Sequence, residues 1–134
     1  MDLKLLILIG GVLHFGILVA SACVPGVLDW RRELAKLAPL SRQLVWVHGA
    51  FIVLVIVGFG VLSVLAPGEL ATGSALARGV CLFVAIFWGA RLAVQFFVFD
   101  AKLYLKSAFL RLGYNGLTAV FAYLTVVYSV AAMR

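Results

Sequence analysis

The stretch VCLFVAIFWGARLAVQFFVF, Val80 to Phe99, decides how this chain folds. It is as long as a bilayer-crossing helix needs to be, about 20 mostly apolar residues, yet it carries one formal charge, Arg91. A guanidinium near the bilayer centre costs roughly 2.5 to 3.5 kcal/mol even on the lenient insertion scale, so residues of this kind face a partner, a cavity or a bound group. No Asp or Glu within the stretch neutralises it. One segment therefore sets two expectations, a membrane fold and a site around Arg91.

Three further stretches have the same character, so spans are expected at about residues 5–24, 44–66, 79–99 and 112–133. With 66% hydrophobic and 12% charged residues, the chain is far from a soluble domain, where charged residues make up about 25%. The sequence predicts an all-α polytopic membrane protein. Its 134 residues form a single domain, an antiparallel four-transmembrane-helix bundle, with no soluble domain among them.

Between the first two spans, residues 27–38 read as a short amphipathic helix lying in the membrane interface. At helical spacing Val27, Leu28, Trp30, Leu34, Leu37 and Ala38 fall on one side and Asp29, Arg32, Glu33 and Lys36 on the other. Pro25-Gly26 is expected to end the first span, Ser41 to cap the second and Pro67-Gly68 to stop it. A turn from Asp100 to Lys106, edged by Tyr104, then joins the third span to the fourth.

The net charge of +6 sits in the connections. Arg31, Arg32, Lys36 and Arg42 follow the first span and Lys102, Lys106 and Arg111 the third, whereas the opposite side has Lys4, Arg78 and Arg134. The positive-inside rule then places both basic connections in the cytoplasm and both termini outside, in a bacterial-type inner membrane. Bases confined this way meet anionic lipid headgroups rather than nucleic acid. Val19 to Cys23 loosely resembles a lipoprotein cleavage site, but Asp2 offsets Lys4 and His14 interrupts the apolar core, which argues for a retained span. Cys23 and Cys81 fall near opposite membrane faces, about 25 Å apart, too far for a disulfide.

The polar residues inside the spans gather at one depth. Counted at about 1.5 Å per residue from the cytoplasmic ends, His14 is about 15 Å deep, Arg91 about 13 Å, Asn115 about 12 Å and Thr118 about 16 Å, with His48 and Gln95 at roughly 7 to 10 Å. Trp88, Arg91 and Gln95 share a face of the third span, and Arg111, Asn115, Thr118, Ala122, Thr125 and Ser129 form a stripe on the fourth. Polar groups have no water to satisfy them in lipid, so these stripes are expected to turn inward and form a polar pocket in the cytoplasmic half. Its ligand-binding residues would be Arg91, His14, His48, Gln95, Asn115, Thr118, Trp88 and Trp46.

Three roles compete for Arg91: a structural tie to carbonyls, Asn115 and the tryptophans; a clamp for an anionic or carbonyl-bearing ligand such as a lipid phosphate, a quinone or a haem propionate; or part of an ion pathway. His14 and His48 are the candidate axial ligands of a haem b, although their depths differ by roughly 6 to 9 Å. Zinc or copper would need three or four ligands where only two imidazoles stand. No nucleophile has a base and an orienting partner, so hydrolytic chemistry is not expected. Gly16, Gly58, Gly60, Gly113 and Gly116 are expected to let helices approach closely.

In size and span count the chain is similar to small four-span families such as the bacterial membrane protoporphyrinogen oxidase and copper-resistance membrane proteins, which also place histidines within spans. The strings Trp46-Val47-His48-Gly49 and Trp88 to Gln95 match no motif of either, so no residue role is carried over. The functional expectation is a small membrane protein that binds a lipidic or redox ligand or serves as a subunit of a larger membrane complex. The alternatives are a membrane oxidoreductase holding haem b or quinone, and a homo-oligomeric ion or small-solute conductor. Membrane lipids are the expected partners in each case.

Overall fold

The computed structural model describes residues 2–97 and 108–133. Its helices are α1 (Leu3–Val27), α2 (Trp30–Glu33), α3 (Pro39–Leu65), α4 (Pro67–Leu70), α5 (Ala75–Phe97) and α6 (Ala108–Ala132), with a 3-10 turn at Leu34–Lys36. No strand occurs among the described residues. The helices α1, α3, α5 and α6 are each long and apolar enough to cross a membrane, and this is a multi-pass membrane protein with a four-helix bundle fold. The turn from Asp100 to Lys106, with Lys102 and Tyr104, lies outside the described residues.

Local chemistry moves several boundaries from their expected places. The first helix runs through Pro25 to Val27, because a proline in the last turn forfeits one backbone hydrogen bond with only a short run of helix beyond it. Asp29 then takes a left-handed conformation, φ 53°, which a short polar side chain tolerates. That break prevents one continuous helix over residues 27–38, which instead form α2 and the 3-10 turn. Trp30 leaves this segment to sit edge-on to Trp46 at 5.2 Å. Pro39, rather than a capping Ser41, opens α3 at its first position, where the missing N–H would be unsatisfied anyway.

The closest helix pairs are α1 with α3 and α5 with α6, and α1 against α6 joins the two. At the α1–α3 contact a Cβ on Gly11 would lie 2.8 Å from Ser63 Cβ, and one on Gly60 would lie 3.0 Å from the Phe15 ring. Absence of side chains there is what brings the backbones together. Gly16, Gly58, Gly113 and Gly116 do not serve this purpose, since an added Cβ would meet nothing within 4 Å at any of them.

The two ends of the bundle differ. At the end bearing the chain termini, Tyr128 hydrogen-bonds Ser63 across α6 and α3, the Tyr123 hydroxyl donates to the Leu6 carbonyl at 2.9 Å, and Arg78 Nε donates to the Ala132 carbonyl at 3.1 Å. Pro67 and Leu70 of α4 are buried beneath this end, with the Cys81 thiol 3.5 Å from the Leu70 carbonyl. Ile7, Leu124 and Tyr128 have no exposed surface. The other end carries Arg31, Arg32, Lys36, Arg42 and Arg111, and along their lengths α3 and α5 scarcely pack against each other.

Candidate functional site

Midway along the bundle an aromatic layer separates the closed half from the open one. At its centre His14, fully buried, receives a hydrogen bond at Nε2 from Trp88 Nε1 at 2.9 Å. An indole N–H can only donate, so Nε2 is the unprotonated nitrogen. The proton therefore sits on Nδ1, which donates to the Gly10 carbonyl at 2.7 Å. Around the imidazole, edge-on, stand Phe59 at 5.9 Å, Trp88 at 5.4 Å and Tyr128 at 6.0 Å. Phe59 reaches across from α3 to α5, with its ring 5.9 Å from Phe83 and 5.3 Å from Phe87, and this aromatic bridge stands where close helix packing is missing.

On the open side of the layer Trp88 stacks on Phe121, centroids 5.1 Å apart and planes 16° from parallel. The Arg91 guanidinium lies over the same Phe121 ring at 5.1 Å, a cation–π position. Its Nη1 makes a long hydrogen bond, 3.4 Å, to Gln95 Oε1. The Gln95 amide in turn donates to Thr118, whose hydroxyl donates to the Tyr114 carbonyl at 3.0 Å. The Arg91 side chain thus leans one helical turn toward the basic end, with a neutral, satisfied amide beneath it.

Trp88, Phe121 and Arg91 line one wall of a groove of about 500 Å³. Helix α1 contributes Ile17, Ser21 and Val24, α3 contributes Ile52 and Ile56, and α6 contributes Leu117 and Phe121. From α5 come Phe83, Phe87, Trp88, Arg91 and Val94. Ile52, Phe83 and Ile86 are more than half exposed, so the groove opens sideways between α3 and α5. Its lining is apolar except for the Ser21 hydroxyl and the guanidinium. A depression of about 530 Å³ at the opposite end, beside Arg78, Ser129 and Met133, offers no comparable convergence, and its arginine is tied by Nε to a backbone carbonyl.

Of the residues expected at the site, the structure joins His14, Trp88, Arg91, Gln95 and Thr118 through consecutive contacts. It does not bring in His48, Trp46 or Asn115, which are exposed. For His48 the reason is local satisfaction of its polar group. His48 Nδ1 donates to the Leu44 carbonyl of its own helix at 2.8 Å, so it needs no interior partner. The same holds for the stripe on α6, where the Thr125 hydroxyl donates to the Phe121 carbonyl at 2.8 Å, leaving Phe121, Leu124 and Tyr128 to face inward. The pocket is accordingly an apolar groove with a charged wall rather than a polar chamber. Phe59, Phe121, Ser63 and Tyr128 are the residues that the polar pattern did not point to.

The donors do not suit a haem. Both nitrogens of His14 are engaged and His48 lies on the outer surface, so no pair of free imidazoles faces a shared space. No group of three or more His, Cys, Asp or Glu able to hold a metal occurs among the described residues. No protein-family model, curated protein sequence or solved structure matches the chain.

Proposed function

We propose that this protein binds a membrane-dissolved amphiphile, a lipidic ligand whose anionic or carbonyl head is held by Arg91 while its apolar body lies in the groove between α3 and α5. One observation carries this reading: a groove of about 500 Å³ with apolar walls, open to the side, into which a single described charged side chain projects. A guanidinium is a planar fork of donors suited to carboxylate, phosphate or carbonyl oxygens. Conduction through one copy has less support, because His14, Phe59, Trp88, Phe121 and Tyr128 fill the bundle where a path would pass.

The test is gentle extraction into nanodiscs followed by native mass spectrometry. A stoichiometric adduct is expected in the wild type and its loss in Arg91→Ala, with helicity unchanged by circular dichroism. A wild type that carries nothing and takes up no added lipid or quinone refutes the reading. For topology we propose a bacterial-type inner membrane with both termini outside, on the asymmetry of basic residues. Thr72→Cys should then react with an impermeant maleimide in intact cells and Ala35→Cys only after permeabilisation; the reverse pattern inverts the assignment. Membership in a larger complex is a second reading, supported by α3, the least buried of the spans.

A further inference from the structure

We infer that a second copy of this chain docks on the outer face of α6, giving a parallel two-fold dimer in which the two Asn115 amides pair across the axis. None of the residues of that face lines the groove between α3 and α5, so a dimer of this kind leaves the groove open.

The polar stripe of α6 lies on the outside of the bundle. Asn115 is nine residues, two and a half turns, from the fully buried Leu124, so it points away from the core. Asn115, Ala119 and Val126 are exposed, and Ala122 and Ser129 are half-buried. On the flank of the stripe, Thr118 and Thr125 have satisfied hydroxyls, each bonding a carbonyl one turn back. Among the described residues, by contrast, nothing hydrogen-bonds the Asn115 amide or the Ser129 hydroxyl. Asn115 stands about 10 Å along the axis from Ala108, and its side chain is too short to reach the headgroups as Arg111 can. An amide facing lipid leaves two donors and an acceptor unmet.

The other spans present bulk on their exposed faces: Val12 and Val19 on α1, Phe51 and Leu65 on α3, Phe83 and Ile86 on α5. Helix α6 is the least hydrophobic of the four, although it is no more buried than α1 or α5. Lipid contact accounts for the bulky faces and not for a small, polar one. Within a bilayer, helices associate through close packing of small residues and hydrogen bonds between them, and the outer face of α6 offers both.

The occupant follows from the chemistry of the amide. Asparagine is donor and acceptor at once, so it is complementary to itself. Copies of one chain enter the membrane in the same orientation, and a two-fold axis along the membrane normal sets residues at the seam beside their own counterparts. Asn115, Ala122 and Ser129 are seven residues apart, the repeat of a left-handed helix pair, so all three fall on the seam together. The amides then pair, Ala122 lets the backbones approach, and the Ser129 hydroxyls meet about 21 Å further along. Arg111 comes near its own copy at the basic end, where a long side chain turns to anionic headgroups. An unrelated helix would have to present a matching amide at the same depth, which a second copy does by symmetry.

The first test is disulfide trapping in native membranes, in a Cys23→Ser background that leaves the buried Cys81 as the other thiol. Copper-phenanthroline oxidation should give a dimer from Ala122→Cys far more readily than from Phe51→Cys or Ile86→Cys. The second test is Förster transfer between copies labelled at Thr72→Cys in the same background, in liposomes of varied protein-to-lipid ratio. There Asn115→Leu should raise the dissociation constant about 3- to 20-fold, the span of one interhelical hydrogen bond in membranes. Asn115→Gln should raise it less, and both should leave SDS-driven unfolding unchanged. A chain that stays monomeric at every ratio overturns the inference, as does trapping at Phe51 or Ile86 in preference to Ala122, or a dimer indifferent to Asn115→Leu. A cross-link from Ala122→Cys to another membrane protein without the homodimer gives the face to a different partner and overturns it too. Amphiphile retention is expected in monomer and dimer alike, so its absence refutes the proposed function and leaves the dimer standing.

Discussion

The hydrogen bond from Trp88 to His14 should be an energetic tie between α1 and α5, and its strength can be bracketed from the structure. Replacing His14 by Leu removes the acceptor that the buried indole N–H uses. An orphaned buried donor costs about 1–3 kcal/mol. Interhelical bonds measured within membranes average only about 0.6 kcal/mol with a maximum near 1.7, because the separated helices also find partners. Since His14 and Trp88 have essentially no exposed surface (0% and 1%), the upper part of that membrane range applies, and a coupling of about 1 to 1.7 kcal/mol is expected. The assay is a double-mutant cycle of His14→Leu and Trp88→Phe, followed by SDS-driven unfolding in mixed micelles. Each single variant also loses packing, but those losses cancel in the cycle, and the double variant should be less damaged than the sum of the singles. Additivity to within about 0.3–0.5 kcal/mol, as for independent sites, would refute the bond and with it the assigned tautomer of His14.

Gly11→Ala should destabilise the bundle by about 1–3 kcal/mol through forced separation of α1 and α3, whereas Gly16→Ala should be neutral or slightly favourable; the same unfolding assay compares them. Tyr128→Phe should cost about 1 kcal/mol by stranding the Ser63 hydroxyl, and adding Ser63→Ala should recover part of that loss. His48→Ala should leave both stability and ligand retention within about 0.5 kcal/mol of the wild type, since among the described residues its exposed side chain bonds its own helix alone. In micelles Cys23, which is exposed, should react with a maleimide promptly, and Cys81, which is buried, only after denaturation.

Much of the architecture is legible from the residues because length and apolarity alone specify bilayer-crossing helices, and all four stand where hydropathy places them. Counting residues from the span ends also puts His14, Trp88, Arg91, Gln95 and Thr118 at similar levels, and on α1, α5 and α6 these side chains are linked by contacts, Trp88 to Arg91 through Phe121. Helical phase was harder to read. On α3 nearly every residue is apolar, so nothing in that segment says which side faces the bundle, and His48 and Trp46 turn out to face away. On α6 the threonines were expected to seek the interior, but a hydroxyl that bonds the carbonyl one turn back is content at a lipid-facing or half-buried position. Phe59 was invisible for a different reason. Among ten phenylalanines no spacing distinguishes the one that bridges two helices from those that meet lipid.

The two intimate pairings, α1 with α3 and α5 with α6, each join successive crossings of the chain. Each half can therefore enter the bilayer as a self-sufficient hairpin while the rest is still being synthesised. The later meeting of α1 with α6 then completes assembly without either hairpin being rebuilt. A polypeptide severed at the Thr72-Gly73 link and co-expressed as two pieces should consequently reassemble in the membrane.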